Sequence, residues 1–371
     1  MKYKLVTVVG TRPELIRLSE IIKNLDKNFN HILVHTNQNF DKNLKNIFFK
    51  DLGIKKPKYD LDIKSNNSIQ TIAKILIGVD KILKKEKPDG FFILGDTNSS
   101  LSAIVAKKHN IPIFHYEAGN RCFDQRVPEE INRKLVDHIS DINLTYSEFA
   151  RENLLREGIA PDRLFNIGSP LGEVITNNIK KIETSNILKK LELRVNDYFL
   201  ISFHRQENVD NSTNLKKFLS LLDLMIKKYK KTIIISTHPR TEKQISKIKF
   251  NKNKKIKFLK PFGFFDYMQL QKSSMAVISD SGSISEEASY LSLKAISLRE
   301  TLERQEAMSE AAVIMSSLEG KDFMNNLELC LKGKTENTII SDYKKDIISE
   351  KISRIINSYI PYVNRVVWKK Y

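Results

Sequence analysis

The chain has 371 residues, with 41% hydrophobic and 29% charged side chains, a globular composition long enough for two cores rather than one. No apolar run approaches the roughly 18 residues of a membrane span, and Met1–Gly10 reads as a short strand without a signal peptide's apolar region and cleavage site. From these features we expect a cytoplasmic protein. The net charge of +18 raises the question of nucleic acid, but the lysines are scattered, as in Lys84-Lys85-Glu86-Lys87, with no interleaved aromatic platform. We expect neither nucleic-acid nor membrane partners. Cys122 and Cys330 stand too far apart in sequence to suggest a disulfide framework or a zinc site built on cysteine pairs.

Taken in chain order, β-branched and apolar runs alternate with segments of helical period. The first half gives strands over Lys4–Val9, His31–His35, Gly90–Leu94, Ile111–His115, Ile142–Thr145 and Leu164–Ile167. Helical segments such as Ser68–Lys85 and Asn98–Lys108 lie between them. The pattern pauses over Pro170–Arg194, charged and mostly helical, then restarts with Tyr198–Phe203, Thr232–Ser236, Ile256–Leu259, Ala276–Ser279 and Ala295–Leu298. Such alternation predicts an α/β fold of two parallel-sheet, Rossmann-like domains, residues 1–170 and 171–346, facing a central cleft. The helical tail 347–371 is expected to return to the first domain. Ligands of open parallel sheets bind at the carboxyl ends of the strands, so the residues just after each strand are the candidates.

Those residues are polar. The first strand runs into Gly10-Thr11-Arg12-Pro13-Glu14, where Gly10 permits a tight turn and Arg12 meets a helix start that favours anions. Asp96 follows Gly90–Leu94, as base, ligand or helix cap. His115-Tyr116-Glu117-Ala118-Gly119-Asn120-Arg121 leads to a helix opening at Pro128, with Glu129 and Glu130 in its first turn. Glu129 and Arg133 share a face at i,i+4. Glu130 reads as part of a surface ion pair, whereas Asp96, Glu117 and Glu129 are expected to converge on one sheet edge, where clustered carboxylates can divide acid and base roles. In the second half His204-Arg205 and His238-Pro239-Arg240 end two strands. Ser281-Gly282-Ser283 opens a helix whose backbone N–H groups suit a phosphate, and Glu287 lies within reach of a ribose hydroxyl pair. Each feature has a plain structural reading as a capped turn or helix start.

As an ordered set, Gly10–Glu14, Gly95–Thr97, Glu117–Gly119, Pro128–Lys134, His204–Asn208, Asp280–Glu287 and Glu303–Glu306 resemble the non-hydrolysing UDP-N-acetylglucosamine 2-epimerase family over almost the whole chain. The resemblance implies a GT-B-like fold, usually a homodimer, and no metal or redox cofactor. It implies that Arg12, Arg133, Ser281, Gly282, Ser283 and Glu287 hold the UDP part and that Asp96, Glu117, Glu129 and His204 act at the sugar, with His238, Arg240 and Phe262 also in the UDP-sugar set. The stretches 121–134, 202–211, 237–240 and 259–267 resemble the branch that inverts C2 of UDP-2-acetamido-2,6-dideoxy-β-L-talose to give UDP-N-acetyl-L-fucosamine for surface polysaccharide. Arg17 stands where the family commonly has Lys, Gln305 where it has Pro, and 37–41 does not match its activator-binding glutamines. Plain UDP-N-acetylglucosamine is the alternative substrate. A GT-B glycosyltransferase, needing one base and an acceptor groove, and a hydrolysing epimerase are the enzymatic rivals.

Overall fold

The computed structural model describes residues 2–37, 49–63, 65, 67–248, 250, 253–299, 301, 303–333, 340–345 and 347–370. The segment 38–41, most of the stretch compared above with the activator-binding residues, lies outside them. The chain divides into two compact units, one of Met1–Val174 with Asp342–Tyr371, the other of Ile175–Ser341. The division falls inside the helix Leu171–Glu183.

In the first unit seven strands form one sheet in the order β3-β2-β1-β4-β5-β6-β7. They are β1 (Lys4–Val9), β2 (Asn30–His35), β3 (Tyr59–Asp60), β4 (Gly90–Leu94), β5 (Ile113–Tyr116), β6 (Ile142–Thr145) and β7 (Leu164–Asn166), and every adjacent pair is parallel. Their apolar runs are continuous because helices cover both faces, as parallel sheets require. On one face Val6, Val8, Ile32, Phe91 and Ile93 pack with Ile75, Val79 and Leu83 of the helix Ser68–Glu86. Asn67 caps that helix by accepting from the amides of Ile69 and Gln70, and Lys87 ends it in a left-handed conformation. On the other face the tail helix Ile348–Val366 sets Ile360 over Gly90, where an added Cβ would lie 3.2 Å from the Ile360 side chain. Ser353 donates to Asn24 Oδ1 of the helix Arg12–Asn28 at 2.6 Å, and Tyr362 to Asp162 at 2.7 Å.

In the second unit six parallel strands lie in the order β10-β9-β8-β11-β12-β13. They are β8 (Tyr198–Ser202), β9 (Thr232–Ser236), β10 (Ile256–Leu259), β11 (Ala276–Ser279), β12 (Ala295–Ser297) and β13 (Ile314–Met315). Phe199, Ile201, Ile233, Ile235 and Ile278 pack with Leu215, Leu222 and Met225 of the helix Ser212–Tyr229 and with Phe323 and Leu327 of Gly320–Lys332. Phe203 stacks on Phe218 with ring centres 4.0 Å apart. The fold class read from the sequence holds, since both sheets are all-parallel and Rossmann-like. The strand expected from Ile111 begins instead at Ile113, because Pro112 has no N–H for the ladder and contributes only its carbonyl, which accepts from Phe91. Among the described residues no helix is long and apolar enough to cross a membrane.

Candidate active site

Each sheet reverses its strand order at one place, between β1 and β4 in the first unit and between β8 and β11 in the second. Arg12, Asp96, His204 and the Ser281–Ser283 turn follow the strands that flank these reversals, where doubly wound sheets bind ligands, and Glu117, His238 with Arg240, and Phe262 follow β5, β9 and β10.

In the first unit, Gly10 leaves β1 with no room for a side chain: a Cβ would fall 2.0 Å from Ser99 Oγ and 2.6 Å from Thr36 Oγ1. Thr11 then caps the helix that presents Arg12 in its first turn. Glu14 folds back so that Oε2 accepts from the amides of Gly10 (3.1 Å) and Thr11 (2.7 Å) and from Thr11 Oγ1 (2.6 Å), while Oε1 accepts from Thr97 Oγ1 at 3.2 Å. One buried carboxyl thus fastens the turn that carries Arg12 to the turn that carries Asp96. Burial pushes it up to about 7 against the downward pull of those hydrogen bonds.

Asp96 follows β4 and Glu117 follows the adjacent β5. A Cβ on Gly95 would lie 3.7 Å from Glu117 Oε2, so the Glu117 carboxylate sits over the turn that presents Asp96. Asp96 Oδ2 accepts from Arg133 Nε at 2.9 Å and Nη2 at 2.6 Å, and its backbone carbonyl accepts from Asn132. Glu117 Oε2 accepts from Tyr146 OH at 3.1 Å and faces Arg17 Nη1 at 3.4 Å. The Glu117 backbone is left-handed, with φ of 68°, a conformation that costs a non-glycine residue energy and is held only where the surroundings impose it. Glu129 stands half-buried in the first turn of the helix Pro128–Ile139.

One expectation changes here. Glu130 does not take part in a surface ion pair: it is 1% exposed and accepts from Arg133 Nη1 at 2.9 Å and from the amides of Cys122 and Phe123. Its partner Arg133 is 2% exposed and joins Glu130 to Asp96. The reason is geometric: at i,i+3 Glu130 lies beside Arg133 on the buried side of the helix, and a guanidinium fork removed from water takes the carboxylates nearest to it.

Beneath these residues lies a buried acid. Asp137 accepts from Arg121 Nη1 at 2.7 Å and from the Gly119 amide, and approaches His115 Nδ1 at 2.9 Å. His115 Nε2 lies 2.9 Å from the Gly95 carbonyl. The turns after β4 and β5 are therefore tied to one carboxylate.

In the second unit His204 follows β8, its amide and that of Arg205 donating to Asp280, as does Asn208 Nδ2. His204 Nδ1 is 3.2 Å from Asp280 Oδ1. Burial pushes the Asp280 carboxyl up, but His204 and the two amides outweigh it and hold it below the usual range. After β11, Ser281, Gly282 and Ser283 turn into the helix Ile284–Leu291, the two hydroxyls 2.9 Å apart. Glu287 is 8% exposed and accepts from Gln271 Nε2. His238 serves as the cap of the helix Pro239–Ile245, accepting from the Arg240 amide at 3.2 Å. Arg240 is exposed and bound to Asp210 at 3.2 Å. Phe262 is half-buried and packs with Leu259 and Tyr267 against Tyr198 and Leu200. Glu14, Asp137 and Asp280 were not singled out as site residues from the sequence. Glu14 left a signal there in the Thr-x-x-Glu spacing of a capping box, and Asp280 opens the quoted stretch Asp280–Glu287, whereas Asp137 left none. Among the described residues no group of three or more His, Cys, Asp or Glu is placed to hold a metal ion.

The model of the UDP-N-acetylglucosamine 2-epimerase family matches residues 23–357. The chain belongs to that family. It is an isomerase, an epimerase of the non-hydrolysing type. A solved UDP-N-acetylglucosamine 2-epimerase from Rickettsia bellii is 45% identical and superposes with a TM-score of 0.93, covering 100% of both chains. The UDP-N-acetylglucosamine 2-epimerase of Methanocaldococcus jannaschii is 40% identical over 340 residues, 89% of this chain and 93% of the relative. A structure of a Methanocaldococcus jannaschii UDP-GlcNAc 2-epimerase in complex with UDP-GlcNAc and UDP matches with a TM-score of 0.89 at 38% identity, covering 96% of this chain and 99% of that one.

Proposed function

We propose that this epimerase inverts C2 of a UDP-N-acetylhexosamine by eliminating UDP and adding it back. The observation that carries the reading is the pair of carboxylates, Asp96 and Glu117, on the turns of the adjacent strands β4 and β5 beside the reversal of the first sheet, with Glu129 on the helix whose Arg133 grips Asp96.

The chemistry asks for such a set. The C2 proton has no neighbouring carbonyl and is weakly acidic, so direct abstraction at neutral pH is too slow. Breaking the C1–O bond sends its electron pair to the diphosphate and builds positive charge beside C2. A carboxylate then takes the C2 proton, C1 and C2 become doubly bonded, and a 2-acetamidoglycal and UDP result. Delivery of a proton to the opposite face of C2, with return of UDP to C1, gives the epimer. Two acid/base groups are needed on opposite faces, and Asp96, Glu117 and Glu129 are the groups we assign. Arg12, His204 and the Ser281–Ser283 turn would stabilise the leaving diphosphate, each preorganised donor contributing about 3 kcal/mol. Glu287 would take the ribose hydroxyls, with His238, Arg240 and Phe262 along the same UDP-sugar.

UDP-N-acetylglucosamine is the first substrate to test, since the relatives above carry that name. A second reading, UDP-2-acetamido-2,6-dideoxy-β-L-talose giving UDP-N-acetyl-L-fucosamine, is favoured by the stretches 121–134 and 259–267. Proton NMR of the protein in D2O with each nucleotide sugar decides. Deuterium entering C2 as an epimer appears names the substrate; no exchange with either overturns the epimerase chemistry on these sugars. Asp96→Asn is expected to abolish exchange while UDP still binds; loss of UDP binding would show that Asp96 is structural.

A further inference from the structure

Three charged heads meet beside Gly282. A Cβ built there would lie 3.2 Å from Arg299 Nη1, 3.4 Å from Glu303 Oε2 and 3.6 Å from Arg205 Nη2. From this geometry we infer that Arg299 is a further diphosphate-binding residue, held ready by Glu303. The inference rests on the nucleotide reading of the Ser281–Ser283 turn given above.

Arg299 lies two residues past the end of β12, the strand beside β11. It is 5% exposed. Nη2 donates to Glu303 Oε1 at 2.9 Å, but Nη1 finds no hydrogen-bond partner among the described residues. Folded proteins rarely leave a buried donor unmade, least of all a charged one, so this nitrogen calls for an acceptor. It points at the one residue of the turn without a side chain. Arg205 reaches the same carboxylate, its Nη2 being 3.8 Å from Glu303 Oε1.

Two guanidinium groups therefore share one carboxylate at the start of an eight-residue helix whose first turn also offers the Ser281 and Ser283 hydroxyls. The cluster has one positive charge in excess, and the helix start adds to it. A diphosphate fits both features: it supplies several oxygens in the planar spacing that an arginine fork matches, and more negative charge than the carboxylate. Glu303 then acts in two ways. It keeps Arg299 and Arg205 extended toward the turn, and it competes with the incoming anion. Gly282 is part of the same arrangement, since any side chain there would stand between Nη1 and the turn.

The test is calorimetric binding of uridine, UMP and UDP to wild type, Arg299→Gln, Arg299→Lys, Glu303→Gln and the double variant at one ionic strength. Arg299→Gln is expected to weaken UDP about tenfold or more, the size of a lost charge-assisted bond, and to leave uridine unchanged. Glu303→Gln is expected to tighten UDP several-fold, and that gain should vanish when Arg299 is also Gln. Equal weakening of uridine and UDP would make Arg299 a structural residue and overturn the inference, as would unchanged UDP affinity. Should Arg299→Gln fail to fold, Arg299→Lys (charge kept, fork lost) and Glu303→Gln decide alone; UDP affinity unmoved in both overturns it. A wild type that binds neither uridine nor UDP would remove the nucleotide reading itself.

Discussion

Replacing Glu14 by Gln should change how stability depends on pH, by an amount the structure sets. The Glu14 carboxyl is pushed from 4.5 up to about 7 by burial. The folded state therefore binds its proton more tightly than the unfolded chain does. The stabilisation that results is fully present below pH 4.5 and is lost as pH rises through 7. A displacement of that size is worth about 3 kcal/mol at full extent, at about 1.4 kcal/mol for each unit. Glutamine does not titrate, and it can keep the bonds: its carbonyl oxygen accepts from Gly10 and Thr11, and its amide donates to Thr97 Oγ1. The free-energy gap between Glu14→Gln and wild type should thus shift in favour of the variant by about 3 kcal/mol between pH 4.5 and 8. Every other titrating group cancels in that difference. Trp368 is the chain's one tryptophan and belongs to the same unit as Glu14, so its fluorescence follows unfolding of that unit alone. Denaturant titrations by Trp368 emission at several pH values are the assay. A gap that stays constant across the range refutes the assignment of a proton to buried Glu14.

Two further substitutions probe the turns beneath the candidate residues. Gly119 has φ of 81°, and a Cβ there would fall 2.2 Å from the Ala150 carbonyl oxygen; Gly119→Ala should cost about 4 kcal/mol or more, seen as a much lower melting temperature, and a variant within a degree or two of wild type would show that the turn can shift freely. Asp280→Asn removes the charge that faces His204 and places an amide donor against one of the backbone N–H groups; kcat is expected to fall about 10- to 100-fold, as for the loss of an orienting acid, while uridine affinity holds, and equal loss of both would make Asp280 a support of the whole unit.

The strands were legible because both faces of a parallel sheet are buried, so their apolar runs stand out at any register. Lys4–Val9, Thr232–Ser236 and Ala276–Ser279 appear in the structure with the limits the runs give. Tyr59–Asp60 and Ile314–Met315 were not legible: a two-residue edge strand forms no run, and only its partner's ladder defines it. The candidate carboxylates were found by position after a strand, but their handling was not. Helical period puts Glu129 and Arg133 on one face, yet cannot say that Glu130 is the buried one or that Asp96 comes across from another strand to share the guanidinium. The left-handed backbone of Glu117 leaves no mark either, since nothing local in His115-Tyr116-Glu117-Ala118 asks for it.

The turns after these strands rest on a device both units use. A strand that ends and turns sharply leaves backbone N–H groups outside the ladder, and in a buried turn each must find an acceptor. A carboxylate can take several at once. Asp137 takes the Gly119 amide together with Arg121, and Asp280 takes the amides of His204 and Arg205. In each case the acid lies beneath the turn and the residues with chemistry stand above it. The acid comes from elsewhere in the unit: Asp137 from the helix Pro128–Ile139, Asp280 from the end of the neighbouring strand. A conserved turn sequence would therefore be insufficient to present Glu117 or His204. The turn holds its shape only when the distant carboxylate is in place, which is why exchanging the acid should disturb chemistry before it disturbs the fold.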